Sequence, residues 1–255
     1  MPTVSEVLIE RPAPGIALAR INRPEVRNAL NAAVRAQINT AFRDFDTDPE
    51  VKAVVLTSAG DHFAAGGDLR EFGAATMVDR MLAENTTELA RCRKPVIAAV
   101  NGYAFGGGCE YAMNCDIIIA GKDALFAQPE VKVGLVPGLG GTQYLPRAIG
   151  IYPALLMLLT GDPITAERAA TLGLVSEVVD GRAEDRALEI AHQLVELPPL
   201  TVQLIKKVVR EGTQVALSTA LEMEKLAHQQ MFATEDMREG SRAFLEKRRP
   251  KFRGH

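Results

Sequence analysis

The sequence predicts an α/β fold, and three observations carry that reading. Strand-like and helix-like segments alternate through the first half of the chain, as they do where helices cover a sheet. Two glycine-rich segments each deliver a glutamate. Past Gly141 the pattern becomes predominantly helical.

The elements follow in order. Val4 to Glu10 is strand-like, and Val7–Glu10 and Ile16–Ile21 flank Pro12, Pro14 and Gly15 as in a hairpin. From Asn31 to Phe45 a helix is expected, with Val34, Ile38, Ala41, Phe42 and Phe45 on one apolar stripe. Val51–Thr57 has a short buried-strand pattern, and Val78 to Cys92 reads as a helix. Pro95–Val100 is an apolar strand running into the first glycine-rich turn; Gly106 to Asn114 then predicts a short helix and Ile117–Ala120 the next strand. Further helices are predicted over Ile151–Thr160, Thr165–Leu172, Glu184–Leu197, Leu200–Arg210, Val215–Phe232 and Glu235–Glu246, with Thr165 and Thr234 as N-caps. Pro198-Pro199 breaks any helix across it. It divides the chain into a core, 1–197, and a helical C-terminal region, 198–255.

Composition narrows the function classes. A chain of 255 residues, 47% hydrophobic, has ample material for a buried core. A net charge of −3 gives no electrostatic case for nucleic acid or an anionic membrane. No apolar run reaches the ~18 residues of a membrane helix. The three cysteines (Cys92, Cys109, Cys115) lack metal-ligand spacing and suit a reducing, cytoplasmic setting, and no secretory or transit segment leads the chain. There is no GxSxG elbow, HExxH pair or Walker lysine, and the four histidines form no triad or metal cluster.

The chemistry-bearing segments are three. Phe63-Ala-Ala-Gly-Gly-Asp-Leu69 follows a strand and offers a backbone N–H near Gly67, although a plain turn at a strand end has the same look. Asn101-Gly-Tyr-Ala-Phe-Gly-Gly-Gly-Cys-Glu110 places three glycines at a helix N-terminus. That end carries roughly half a positive charge and suits a developing oxyanion. Gln128-Pro-Glu130 precedes Gly134-Leu-Val-Pro-Gly-Leu-Gly-Gly-Thr142. Glycine lets N–H groups approach a ligand closely, and a carboxylate beside such a turn can exchange protons with whatever they hold. Glu110 lies among apolar neighbours, so burial is expected to raise its pKa. The basic tail Lys247-Arg-Arg-Pro-Lys-Phe-Arg253 is either a solvated face or a contact for a ligand phosphate or a neighbouring subunit.

On these residues the chain resembles the enoyl-CoA hydratase/isomerase (crotonase) family. Matching segments are Asn22-Arg-Pro-Glu-Val-Arg-Asn-Ala-Leu30, Phe63–Leu69, Pro95–Tyr103, Gly106–Glu110, Gln128–Glu130 and Pro137-Gly-Leu-Gly-Gly-Thr-Gln143, followed by Phe232–Gly240 through Phe244–Lys247. No single motif is decisive; their order along nearly the whole chain is specific. The resemblance implies a spiral of repeated ββα units with a helical C-terminal trimerisation region, and a homotrimer or a homohexamer built as a dimer of trimers. It implies an acyl-CoA substrate and a reaction of the β-oxidation type, with coenzyme A part of the substrate and no separate cofactor or metal. By position the oxyanion donors would be Gly67 and Gly107 and the paired catalytic glutamates Glu110 and Glu130. The thioester would lie along Arg27, Ala29, Ala65, Gly67, Asp68, Leu69, Arg70, Gly107 and Pro129, with Phe244 and Lys247 supplied by a neighbouring subunit. Having both glutamates favours a hydratase over a single-function isomerase. A specialised member, either a 2,3-dehydroadipyl-CoA hydratase of aromatic breakdown or an enoyl-CoA isomerase, and in another class a non-catalytic RNA-binding or structural trimer, are the competing readings. The chain departs from the family at Gly67, where alanine is common, and at Tyr144, where arginine is common.

Overall fold

The computed structural model describes residues 5–72, 76–77 and 87–255. Nine strands form two sheets among these residues. Strands β1 (Val7–Ala13) and β2 (Ile16–Ile21) pair antiparallel, and β2 pairs parallel to β3 (Ala53–Ser58). Next come β4 (Val96–Val100), β6 (Ile117–Gly121) and β9 (Glu177–Val179), all parallel. A second sheet holds β5 (Tyr103–Phe105), β7 (Leu125–Ala127) and β8 (Ile164–Thr165).

Both faces of the larger sheet are covered, which is why its strands read as continuous apolar runs. Helix α1 (Ala32–Thr47) lays Val34, Ile38, Phe42 and Phe45 on one face, against Val54, Leu56, Val96 and Ala98. Asn31 caps it, its side-chain oxygen accepting the Val34 N–H at 2.8 Å. The other face presents Leu18, Val55, Ile97 and Ile119 to Ala183, Ala187 and Ala191 of a later helix, Ala183–Val195. Alanine every fourth residue lets that helix sit close to the sheet. Each large apolar side chain so buried contributes roughly 2 kcal/mol.

The chain climbs as a spiral. After each of β3, β4 and β6 it leaves the larger sheet and runs briefly through a second layer, where Ala64 bridges Ala104 and Ala104 pairs with Phe126. These three turns are stacked in register. Three residues beyond Ala64, Ala104 and Phe126 stand Gly67, Gly107 and Pro129. The short helices α2 (Leu69–Phe72) and α4 (Gly107–Asn114) and the 3-10 helix Pro129–Val133 begin there; α3 (Glu88–Arg91) lies between the first two in sequence. Stacking thus brings three sequence-distant loops to one edge of the fold.

The remaining helices are α5 (Gly141–Ile149), α6 (Ile151–Thr160), α7 (Ala166–Leu172), α8 (Ala183–Val195), α9 (Pro199–Gly212), α10 (Leu217–Met231) and α11 (Glu235–Leu245). Thr165 and Thr234 cap α7 and α11, accepting from the Arg168 and Met237 amides. Helix α9 is tied to the core at Asp116, whose carboxylate meets Lys206 Nζ at 2.6 Å and Arg210 Nε at 2.7 Å. No helix among the described residues is long and apolar enough to cross a membrane.

Several expectations are corrected. The first strand runs on through Pro12 to Ala13, with a register irregularity after Glu10; as an edge strand, β1 loses little by a residue that cannot donate. Helix α5 was not anticipated, because Gly140-Gly141 and Pro146 mask its periodicity. Pro129–Val133, for which no element was predicted, is a 3-10 helix. Of the expected Val78–Cys92 helix, 78–86 lie outside the described residues, and the described helix is Glu88–Arg91. Of the strand expected from Val4, Val4 itself falls outside the described residues, and the strand begins at Val7.

Candidate active site

A cleft of about 520 Å³ opens where the three stacked turns end. It is lined by Arg27 and Ala29, by Ala65, Gly67, Asp68, Leu69 and Arg70, and by Gly106, Pro129 and Glu130. Most residues expected from the sequence along the thioester therefore share one space. Lys132, Val133 and Leu135 also line it and were not anticipated. Their segment carried no signal beyond the run of Gly134 and Pro137 after Glu130. Gly107, Glu110, Phe244 and Lys247 are not among the cleft residues; Gly107 and Glu110 lie just behind Gly106, whereas Phe244 stands 84% exposed at the end of α11.

The first two turns meet at their backbones. A methyl group on Gly107 would stand 3.7 Å from the Gly67 nitrogen, so the two peptide units lie side by side. Gly107 opens helix α4, where N–H groups have no acceptor within the helix. Two neighbouring glycines make this approach possible. Gly106 has φ +51°, and a Cβ there would lie 2.7 Å from Glu130 Oε1. Gly108 packs so tightly on the preceding turn that a Cβ would overlap the Ala64 carbonyl oxygen.

Gly106 also touches both glutamates, one through the backbone and one through the side chain. Its carbonyl accepts the Glu110 N–H at 2.9 Å, while the Glu130 carboxyl lies over its α-carbon. Glu110, 2% exposed, has Oε1 held by the N–H groups of Leu139 at 2.7 Å and Gly141 at 2.8 Å. Asn114 Nδ2 ties the Glu110 and Leu139 carbonyls together and so fixes that loop on α4. Burial pushes the Glu110 pKa up, and the amides of Gly141, Leu139 and Gly138 pull it partly back. The stretch Gly138-Leu-Gly-Gly141 thus serves as an amide cradle for a carboxylate. Its glycines are visible in the sequence, but not the fold-back that brings them to Glu110.

Glu130 is less well supported. Its Oε2 is buried with no hydrogen-bond partner among the described residues. Burial, aided by the Glu110 charge, raises its pKa to about 7. One carboxylate is therefore clamped by amides while its neighbour is poised to hold a proton near neutrality. Such a pair divides naturally into base and acid. Tyr144, the other departure, lays its ring over Gly140, next to the amides that hold Glu110.

The basic tail is partly built into the fold. Arg248 is paired with Glu239 and Glu246, and Asp236, 3% exposed, accepts the Arg253 and Gly254 amides.

Comparison with known proteins gives a consistent picture. A family model described as enoyl-CoA hydratase/isomerase matches residues 11–255. The chain is 42% identical over 239 residues to the probable mitochondrial enoyl-CoA hydratase of Dictyostelium discoideum, covering 92% of this chain and 86% of that protein. It is 40% identical over 256 residues to the 2,3-dehydroadipyl-CoA hydratase of Escherichia coli K12, covering 98% and 100% respectively. The solved enoyl-CoA hydratase of Bacillus anthracis superposes with a TM-score of 0.93 at 35% identity, over 98% of this chain and 100% of that one.

Proposed function

The chain belongs to the enoyl-CoA hydratase/isomerase family, and on that premise we propose that it adds water across the 2-trans double bond of an enoyl-CoA thioester, giving a 3-hydroxyacyl-CoA. The observation that carries this reading is the unequal pair of glutamates, Glu130 lining the cleft and Glu110 behind it, beside the adjacent peptides of Gly67 and Gly107.

The thioester oxygen would sit against the N–H groups of Gly67 and Gly107, which stabilise the charge that develops on it as water attacks C3. Loss of one such donor typically costs ~3 kcal/mol. Water held between the glutamates forms a bond to C3 and gives a proton to Glu110. Glu130 gives its proton to C2, and proton passage from Glu110 to Glu130 resets the pair. The amide cradle offsets part of the burial that raises the Glu110 pKa and so suits it to the base, whereas the unpartnered oxygen and raised pKa of Glu130 suit the acid. Coenzyme A enters as part of the substrate, and the proposal needs no other cofactor. Arg27, Arg70 and Lys132 at the cleft supply cations for its phosphates. Phe244 and Lys247 belong to this site only if a neighbouring subunit brings them, which goes with a homotrimer or a dimer of trimers.

Glu110→Gln and Glu130→Gln should each lower kcat for crotonyl-CoA hydration by at least ~100-fold. Calorimetric affinity for acetoacetyl-CoA should stay near that of the unaltered protein. Near-normal turnover in either variant removes that glutamate from the mechanism. Rates on crotonyl-CoA against longer, branched and dicarboxylic enoyl-CoAs then define the acyl group.

A further inference from the structure

We propose that Asn28, which does not contact the thioester, is a positioning residue that fixes where the Gly67 amide points; the inference rests on the oxyanion role given to Gly67 above. Asn28 is completely buried, and its backbone is left-handed at φ +57°, as is that of Arg27 at φ +53°. Two consecutive non-glycine residues in that region are strained, and asparagine tolerates it best among residues with a side chain. Such strain persists only where the surroundings enforce it.

They do so through the Asn28 amide. Its Oδ1 accepts the Arg23 N–H at 2.8 Å, and the Asn28 N–H returns to the Arg23 carbonyl at 2.8 Å. Its Nδ2 donates to the Ala59 carbonyl at 2.8 Å and the His62 carbonyl at 2.6 Å. The side chain is thus fully satisfied and joins the 23–28 turn to the 59–62 turn, from which the Gly67 loop departs.

The residues around Asn28 grip the far part of that loop. Ala65 N–H donates to Arg27 O at 3.0 Å, Leu30 N–H to Gly66 O at 2.8 Å, and Asp68 N–H to Leu30 O at 3.2 Å. In this parallel bridge the partners of Leu30 are Gly66 O and Asp68 N. The alternation of a strand then turns the Gly67 N–H to the opposite edge, the side where Gly107 stands. Arg23, oriented by Asn28, completes the lock with Nη1 on Ala29 O at 2.6 Å and on Asp68 Oδ2 at 3.2 Å. Both ends of the loop are therefore referenced to one side chain. A shift there rotates Gly67 without touching either glutamate.

The test compares Asn28→Gly, which relieves the backbone strain and removes the side-chain bonds, with Asn28→Asp, which keeps the Oδ1 acceptor and loses the two donors. The probe is a 3-arylacryloyl-CoA, whose absorption moves to the red when its carbonyl is polarised on binding. In both variants we expect kcat to fall at least about tenfold, the red shift to shrink, and KM to change little. A residue that only stabilises the fold would lower the melting temperature and leave the kcat of folded enzyme and the red shift intact; that result overturns the inference. If Asn28→Gly folds poorly, the Asn28→Asp comparison decides alone. Absence of any red shift in the unaltered protein overturns the oxyanion reading, and this inference with it.

Discussion

At the scale of single residues, Glu130 sets the pH behaviour. Its carboxyl titrates near 7 because burial and the neighbouring Glu110 charge both disfavour its ionised form. As the acid that protonates C2, it must hold its proton, so kcat/KM for hydration should fall on the alkaline side with an apparent pKa near 7. The observed value belongs to the coupled pair. Stability should carry the same signature. The folded pKa lies above the ordinary 4.5, so between 4.5 and about 7 the folded state binds the proton and the unfolded state has released it. Stability therefore declines as pH rises through that window and levels off above it. Denaturant titrations at several pH values should show this decline in the unaltered protein and a shallower one in Glu130→Gln, where only the raised Glu110 contributes. An equal slope in both would mean that Glu130 titrates near 4.5.

At the scale of elements, the sequence disclosed what periodicity and glycine can disclose. The α1 stripe from Val34 to Phe45 and the threonine caps of α7 and α11 were legible because each is a local rule read on contiguous residues. Helix α5 was not, since its glycine start and Pro146 contradict the local rule, and only packing of Leu145 and Ile149 in the core supports it. Tyr103–Phe105 and Leu125–Ala127 are strands only because the spiral stacks them; three residues carry no period of their own. The same logic explains the site. Glu110 and Gly107 were visible beside their glycines, whereas the cradle of Leu139 and Gly141 amides depends on a fold-back that no local pattern encodes. Asp116 is an element-scale device of this second kind. It stands at the end of α4 and binds Lys206 and Arg210 of α9, while Arg210 also donates to the Asn114 and Cys115 carbonyls. Asp116→Asn leaves two largely buried cations without their counter-charge and should destabilise the chain by about 3 kcal/mol. Thermal melts measure that loss. Hydrogen exchange should place it in α9 and at the Val96 amide, which donates to Asp116 Oδ2 at 2.8 Å, with the amides of α1 unaffected.

The whole molecule has more apolar surface than one chain can cover. On α6, Tyr152, Leu155, Leu156 and Leu159 form an outward stripe, with Tyr152 83% exposed. On the C-terminal helices, Ile205 and Val209 of α9 and Leu217 and Leu221 of α10 form others, four residues apart within each helix. Isolated exposed leucines need no explanation, but stripes on two separate regions mark interaction surfaces. Two surfaces are what a dimer of trimers requires, since one kind of contact closes a ring and another joins two rings. Sedimentation should therefore give a mass of three or six copies of the 27.5 kDa chain, and a charge placed on either stripe, Leu156→Glu or Leu221→Glu, should lower it. The double variant should sediment as a single chain, and a single-chain mass for the unaltered protein would sink the assembly. Dissociation would also separate two effects on catalysis. The glutamates, their amide cradle and the adjacent Gly67 and Gly107 peptides all come from one chain, so kcat should survive. Phe244 and Lys247 lie outside that chain's own cleft, so KM for the CoA ester should rise as the assembly comes apart. A fall in kcat at constant KM would instead mean that the neighbour orders the chemistry itself.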